Sequence, residues 1–154
     1  MFDNSYKLSE NFTLGELCKS QTAVRNNINN IPEDKIIIEN LVQLSVNILQ
    51  PVRDFFSVPF SPNSGYRNLE LNALLKSSSK SQHCKGQAAD IEIPSVDNLR
   101  LAEWIHNNLT YDQLILEFYK EDEPTSGWVH VSYNKEKNRG NYLLFDGKNY
   151  RERK

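Results

Sequence analysis

The chain has 154 residues, enough for one domain with a real core and too few for two comfortable ones. A formal net charge of −2 excludes a general nucleic-acid binder, which carries a strong basic excess, and a hydrophobic fraction of 38% beside 25% charged residues is ordinary for a globular protein. Two cysteines, Cys18 and Cys84, exclude a disulfide framework, and no stretch approaches the ~18 apolar residues of a membrane span. The N-terminus has no basic segment followed by an apolar run, so the product is expected to be made and kept in the cytoplasm unless another system exports it.

In chain order, residues 1–31 are polar and rich in Asn, and they read as an irregular arm with one short helix over 14–20. Thr13 followed by Glu16 fits a capping box. A long helix is expected over 32–56, with Pro32 at its first position and Glu33 and Asp34 at the positive end of its dipole. Ile37, Leu41, Leu44, Ile48, Val52 and Phe55 recur at helical spacing and mark its inward face, while Pro51 should kink it or split it after Gln50. Prolines keep residues 58–67 extended, so that they end as a strand delivering Arg67 to the end of a sheet. A short helix over 69–75 and a polar loop over 76–80 come next.

His83 and Asp90 then stand seven residues apart, with Gly86 turning the chain between them and a strand over 87–93 carrying Asp90. Cys84, beside His83, reads as a packing residue and not as a thiolate ligand. Ser95 is placed to cap a helix over 96–108 whose inward residues include Leu101, Ile105 and Leu109. Residues 112–119 and 127–133 should pair as antiparallel strands across an acidic loop, and 141–145 is a last strand before Asp146-Gly147 and a basic tail. The expected class is α+β, an antiparallel sheet with helices packed on it.

The second strand of that pair carries His130. Two imidazoles and a carboxylate, from His83, His130 and Asp90, make a ligand set suited to catalytic zinc with a coordination position left for water. His106, on a helix between Ile105 and Asn107, reads as an ordinary surface or hydrogen-bonded residue. Glu117 shares a strand face with Gln113 and Ile115, so pairing with the His130 strand would bring it within reach of the metal as a general base. The plain alternative is an edge-strand carboxylate.

Ser-x-His-x-x-Gly-x-Ala-x-Asp at 81–90, followed by Trp-x-His at 128–130, resembles the zinc D-Ala-D-Ala peptidases of the M15 type. Within them the chain is most similar to the small phage and bacterial group that cleaves peptidoglycan, in a superfamily that includes lysostaphin-like enzymes and the Hedgehog signalling domain. Ser64-Gly65-Tyr66-Arg67, Asp112 to Glu117 and Asn11 to Leu17 extend the match over residues 11–133 in the family's order. The chain departs from many members by carrying Trp128 where they carry the first His of a His-x-His. It also places Glu117 thirteen positions before His130, where others have a tight Glu-x-x-His.

The resemblance implies one Hedgehog/DD-peptidase-like zinc peptidase domain over 1–154, with an arm at 1–31, a catalytic core at 32–145 and a tail at 146–154. It assigns zinc to His83, Asp90 and His130, the catalytic carboxylate to Glu117, and the grip on a substrate carboxylate or carbonyl to Arg67. A solvated surface arginine is the rival for Arg67. Ser81 is implied as a substrate hydrogen-bonding residue, and Tyr66 and Trp128 as cleft linings. The implied activity is hydrolysis of D-alanyl bonds in peptidoglycan stem peptides, as an endopeptidase or a carboxypeptidase, by a monomer that needs no nucleic acid. Such a protein reaches the wall after release by a phage or inside a virion, and its basic tail either meets anionic wall polymers or is simply solvated. Two rivals from other classes are a non-catalytic zinc-stabilised binding module and a structural virion component of the same fold.

Overall fold

Ala89, Ile91, Leu114, Leu116, Val129 and Val131 occupy alternate positions on three neighbouring strands, and each is at most 1% exposed in the computed structural model, which describes residues 2–154. Burying one such aliphatic side chain contributes about 1.5–3 kcal/mol. A one-residue slip would turn the whole set to the other face, so this alternation sets the register. The strands are β1 (Ala88–Ile91), β2 (Gln113–Glu117), β3 (Trp128–Ser132), β4 (Asn141–Phe145) and β5 (Tyr150–Glu152), in the spatial order β1-β3-β2-β4-β5. Asp90 stands opposite His130, Ile115 opposite His130 on the other side, and Glu117 opposite Trp128.

The α+β class holds, with one difference from a purely antiparallel sheet. β4 runs parallel to β2, while the other neighbours are antiparallel. Two further expectations change with it. β2 lies between β3 and β4, so Glu117 is not an edge-strand residue. The basic tail is not loose, because residues 150–152 pair with β4 and Arg153 bonds Glu103 through Nε at 2.9 Å and Nη2 at 2.5 Å.

Helices cover one face of the sheet. They are α1 (Leu14–Cys18), α2 (Gln21–Arg25), α3 (Lys35–Leu44), α4 (Gln50–Phe56), α5 (Leu69–Leu74) and α6 (Asn98–Asn108). Leu41, Leu44, Ile48, Leu101 and Ile105 join the inward strand residues in one cluster. The arm enters it too, through Leu8, Phe12, Leu14 and Leu17, and the expected capping box of Thr13 and Glu16 starts α1. α2 lies where irregular arm was expected.

The long helix begins at Lys35, not Pro32, because the Asp34 side chain caps it by accepting from the Ile36 N–H at 2.9 Å. It does not break at Pro51. Residues Ser45–Leu49 form a π-helical turn in which the Gln50 N–H reaches back to the Ser45 carbonyl, and this wide turn takes up the disturbance that proline's ring and missing donor impose. The extra residue rotates the remainder of the helix by about 100°. Phe56 therefore packs on the core, and the expected inward Phe55 is 52% exposed and stacked on Trp104. Asp97 caps α6 in place of Ser95, which adopts a positive φ of 68° in the preceding turn.

Residues 58–67 form no full strand, only a bridge from Ser64 to Asp90 along the free edge of β1. Between β2 and β3 the chain folds back tightly at Gly127, where φ is 64°. A Cβ built there would overlap the Glu117 carbonyl oxygen. Gly127→Ala is therefore expected to destabilise the fold by at least ~2 kcal/mol. Urea unfolding checks this; a midpoint at the wild-type value would show that the turn relaxes freely.

Candidate metal centre

Four separate chain segments meet on the face of β1 and β3 that alternates with the buried Ala89, Ile91, Val129 and Val131. β1 brings Asp90 and β3 brings His130 as direct cross-strand partners. A 3-10 turn over Gln82–Lys85 brings His83, and the extended segment at 64–67 brings Arg67. The turn ends at Gly86 in the left-handed region, φ 72°, as the glycine's place between His83 and Asp90 implies. Cys84 lies on this turn beside His83 and is not in the donor group.

His83 Nε2 lies 3.5 Å from Asp90 Oδ1, and His130 Nδ1 lies 3.0 Å from the same oxygen. These three residues each offer a donor atom within 4.8 Å of the others, a group that could hold a metal ion. Side-chain exposure is only 5% for His83 and 13% for both Asp90 and His130, so water competes weakly for the donors.

A backbone contact orients the His83 ring. His83 Nδ1 is 2.7 Å from the Gly65 carbonyl. A carbonyl only accepts, so Nδ1 carries the proton and Nε2 keeps its lone pair. Gly65 is itself fixed by the arm: the Tyr66 N–H donates to the Leu17 carbonyl at 2.7 Å, and a Cβ on residue 65 would overlap that carbonyl. Burial holds the His83 ring below its ordinary pKa, against a partial rise from the Asp90 hydrogen bond, and so keeps it neutral. Burial pushes the Asp90 carboxyl up, but its contacts with the His130 and His83 rings outweigh it and leave the group well below the usual carboxylate range.

Arg67 is not a solvated surface residue. Its side chain is 14% exposed, with Nη2 3.4 Å from Asp90 Oδ2 and Nε donating to Ser64 Oγ at 3.0 Å. Among the described residues its Nη1 has no hydrogen-bond partner. Ser81 caps the His83 turn by accepting from the His83 N–H at 3.2 Å, which leaves its hydroxyl proton available. Glu117 follows Ile115 by two positions and therefore lies diagonally from His130 on the same sheet face. Burial and the neighbouring Asp90 charge raise its carboxyl pKa, and His130, a 2.6 Å hydrogen bond from Trp128 Nε1 to Oε2, and Arg67 partly offset that rise. His106 bonds the Tyr111 hydroxyl and stands apart from this group.

A family model described as Peptidase M15 matches residues 10–132, which include every element of this site. The chain belongs to the Peptidase M15 family. A comparison with curated proteins finds no matching relative. As a peptidase of the M15 type, the chain has a His83-Asp90-His130 group that could serve as a metal site. Two features of this M15 site are not legible in the sequence. Gly65 matters through its carbonyl, although its motif points to Arg67 alone. Trp128, in the sequence a cleft lining and a departure from His-x-His, supplies the hydrogen-bond donor to Glu117.

Proposed function

We propose that this M15 peptidase is a zinc enzyme that hydrolyses D-alanyl peptide bonds in peptidoglycan stem peptides. The observation that carries the reading is the convergence of His83, Asp90 and His130 in a chain of this family. The donor set fits zinc. Two ligands of a tetrahedral ion at about 2.1 Å stand about 3.4 Å apart, and the spacings to Asp90 Oδ1 are 3.0 and 3.5 Å. The neutral His83 and ionised Asp90 are the forms that bind a metal.

Zinc, when bound by these three residues, supplies Lewis-acid activation of the scissile carbonyl and of the attacking water. Glu117 accepts the water's proton at Oε1, the oxygen that Trp128 leaves free, and returns it to the leaving nitrogen as the C–N bond breaks. A carboxyl raised above its ordinary pKa holds a proton more readily than a free carboxylate and can still release it, which suits both halves of that transfer. Arg67 steadies Asp90 through Nη2 and holds the substrate's carboxylate or carbonyl with its free Nη1. Ser81 donates its remaining proton to the substrate backbone. A binding module would have no use for a desolvated carboxylate held beside the donor group by Trp128, which favours the enzyme.

Endopeptidase cleavage of cross-links is the preferred form of the activity. Arg67 lines an open groove and not a closed pocket, so a chain longer than a terminal D-Ala can continue past it. The test is mass spectrometry of muropeptides after digestion, with and without a chelator. Cross-linked dimers resolved to monomers, and protected by the chelator, are expected. Dimers left intact while pentapeptides lose their terminal D-Ala would make the enzyme a carboxypeptidase, and unchanged muropeptides would sink the peptidase reading.

Trp128 offers a finer check. Trp128→Phe removes the donor that holds the Glu117 pKa down, so that pKa should rise further. A base must be ionised to act, so the acidic limb of the kcat/KM profile should move to higher pH. An acidic limb at its wild-type position would detach the Trp128 contact from the catalytic proton transfer.

A further inference from the structure

Beyond Arg67 the surface opens into a groove of about 1130 Å3 between the arm and the segment leading to α5. It exceeds the roughly 300–1,000 Å3 typical of small-molecule sites. Lys19, at the end of α1, and Arg25, at the end of α2, line it together with Arg67. No Asp or Glu lines it among the described residues, although the chain as a whole carries 20 acidic and 18 basic side chains. Neither Lys19 nor Arg25 pairs with a carboxylate among the described residues. Arg25 instead donates to Gln21 Oε1 at 3.2 Å.

The wall that carries these cations is held rigidly to the site. Asn30, 5% exposed, donates to the Cys18 carbonyl at 2.9 Å and the Tyr66 carbonyl at 2.8 Å, and its Oδ1 accepts from the Asn68 N–H at 2.8 Å. One buried amide thus joins the end of α1, the Arg67 segment and the cap of α5. A groove with three cations, no anion and a fixed wall concentrates positive potential along the path a substrate takes past Arg67.

We propose that this groove is the subsite for the part of the substrate that extends beyond Arg67, and that it selects peptides bearing free carboxylates through Lys19 and Arg25. The assignment rests on the peptidase reading above, because it takes Arg67 as the point where substrate enters the groove. Lys19 and Arg25 are then specificity residues that touch substrate away from the scissile bond. Amidation of substrate carboxylates removes the charge they read.

The test uses a fluorescent stem tetrapeptide, which holds no scissile bond, with its carboxylates free or with the side carboxylate amidated. Anisotropy with the metal-loaded protein is expected to show the free acid binding about tenfold more tightly, equivalent to about 1.4 kcal/mol. The gap should shrink as salt is raised, and should fall to within about twofold in the Lys19→Gln/Arg25→Gln double variant. Equal affinities, absence of binding, or a gap that survives the double substitution would overturn the subsite. Cleavage of cross-linked dimers by the same preparations reports separately on the peptidase reading, so the two failures are distinguishable. Both substituted residues are exposed, and thermal unfolding confirms that the variant is folded.

Discussion

Glu117→Gln is expected to lower kcat by ~10² or more while leaving metal content and fold unchanged, the usual consequence of removing a general acid–base group. The amide keeps the side chain's shape and can still accept from Trp128 Nε1 through its oxygen, so the β2–β3 pairing at 117 and 128 has no reason to shift. What it loses is the ability to take a proton. The loss should appear in kcat and kcat/KM alike, since the group acts in the transition state and not in substrate binding. Single-turnover rates on a cross-linked dimer, with elemental analysis of the same sample, make the measurement. Turnover within a few-fold of wild type, with the metal in place, would move the role to another group.

His130→Ala should abolish both metal binding and turnover. One zinc per chain is expected in the wild type and almost none in the variant, because two remaining donors cannot complete the set that Asp90 Oδ1 centres at 3.0 and 3.5 Å. His130 is a better choice than His83 for this purpose. His83 is 4% exposed and bonded to the Gly65 carbonyl, so its loss would disturb the packing around the Leu17–Gly65 contact as well as the metal. Wild-type zinc content in His130→Ala would end the assignment of this residue as a ligand. Adding zinc to the chelated wild-type protein should restore activity, whereas adding it to the variant should not.

The two expectations differ in what they remove, and together they separate holding the ion from moving the proton. Loss of zinc in Glu117→Gln would count against the division of labour just as firmly as activity in His130→Ala.

The candidate donor set came mainly from the family resemblance, and His130 joins it only through the pairing of β1 with β3, but the turn and strand that carry His83, Gly86 and Asp90 were legible because local geometry there follows from local sequence. The same holds for the capping box at Thr13, for α5, and for the face that Ile115 and Glu117 share. Strand alternation put Gln113, Ile115 and Glu117 on one face of β2 for a simple reason: side chains with a period of two must divide between the two faces of the sheet.

Other features depended on contacts between distant segments, which periodicity does not encode. The π-helical turn before Pro51 was invisible, since a proline reads as a break whether or not the preceding turn widens to admit it, and that turn decided which of Phe55 and Phe56 faces inward. Nothing local foretold that β4 would lie parallel to β2, or that the tail would return as β5 and bond Glu103. Asn30 looks like one more polar arm residue until it is seen joining three segments. The sequence by itself determined which groups are available for chemistry: two imidazoles, a carboxylate, a glutamate and an arginine. Only the tertiary structure decided their working states. His83 is a neutral ring with Nε2 unprotonated because the Gly65 carbonyl, 18 residues away, accepts from its Nδ1–H and burial disfavours the charge. The Glu117 carboxyl is raised above its ordinary pKa because folding strips it of water and sets it beside Asp90, against partial opposition from His130, the Trp128 bond and Arg67.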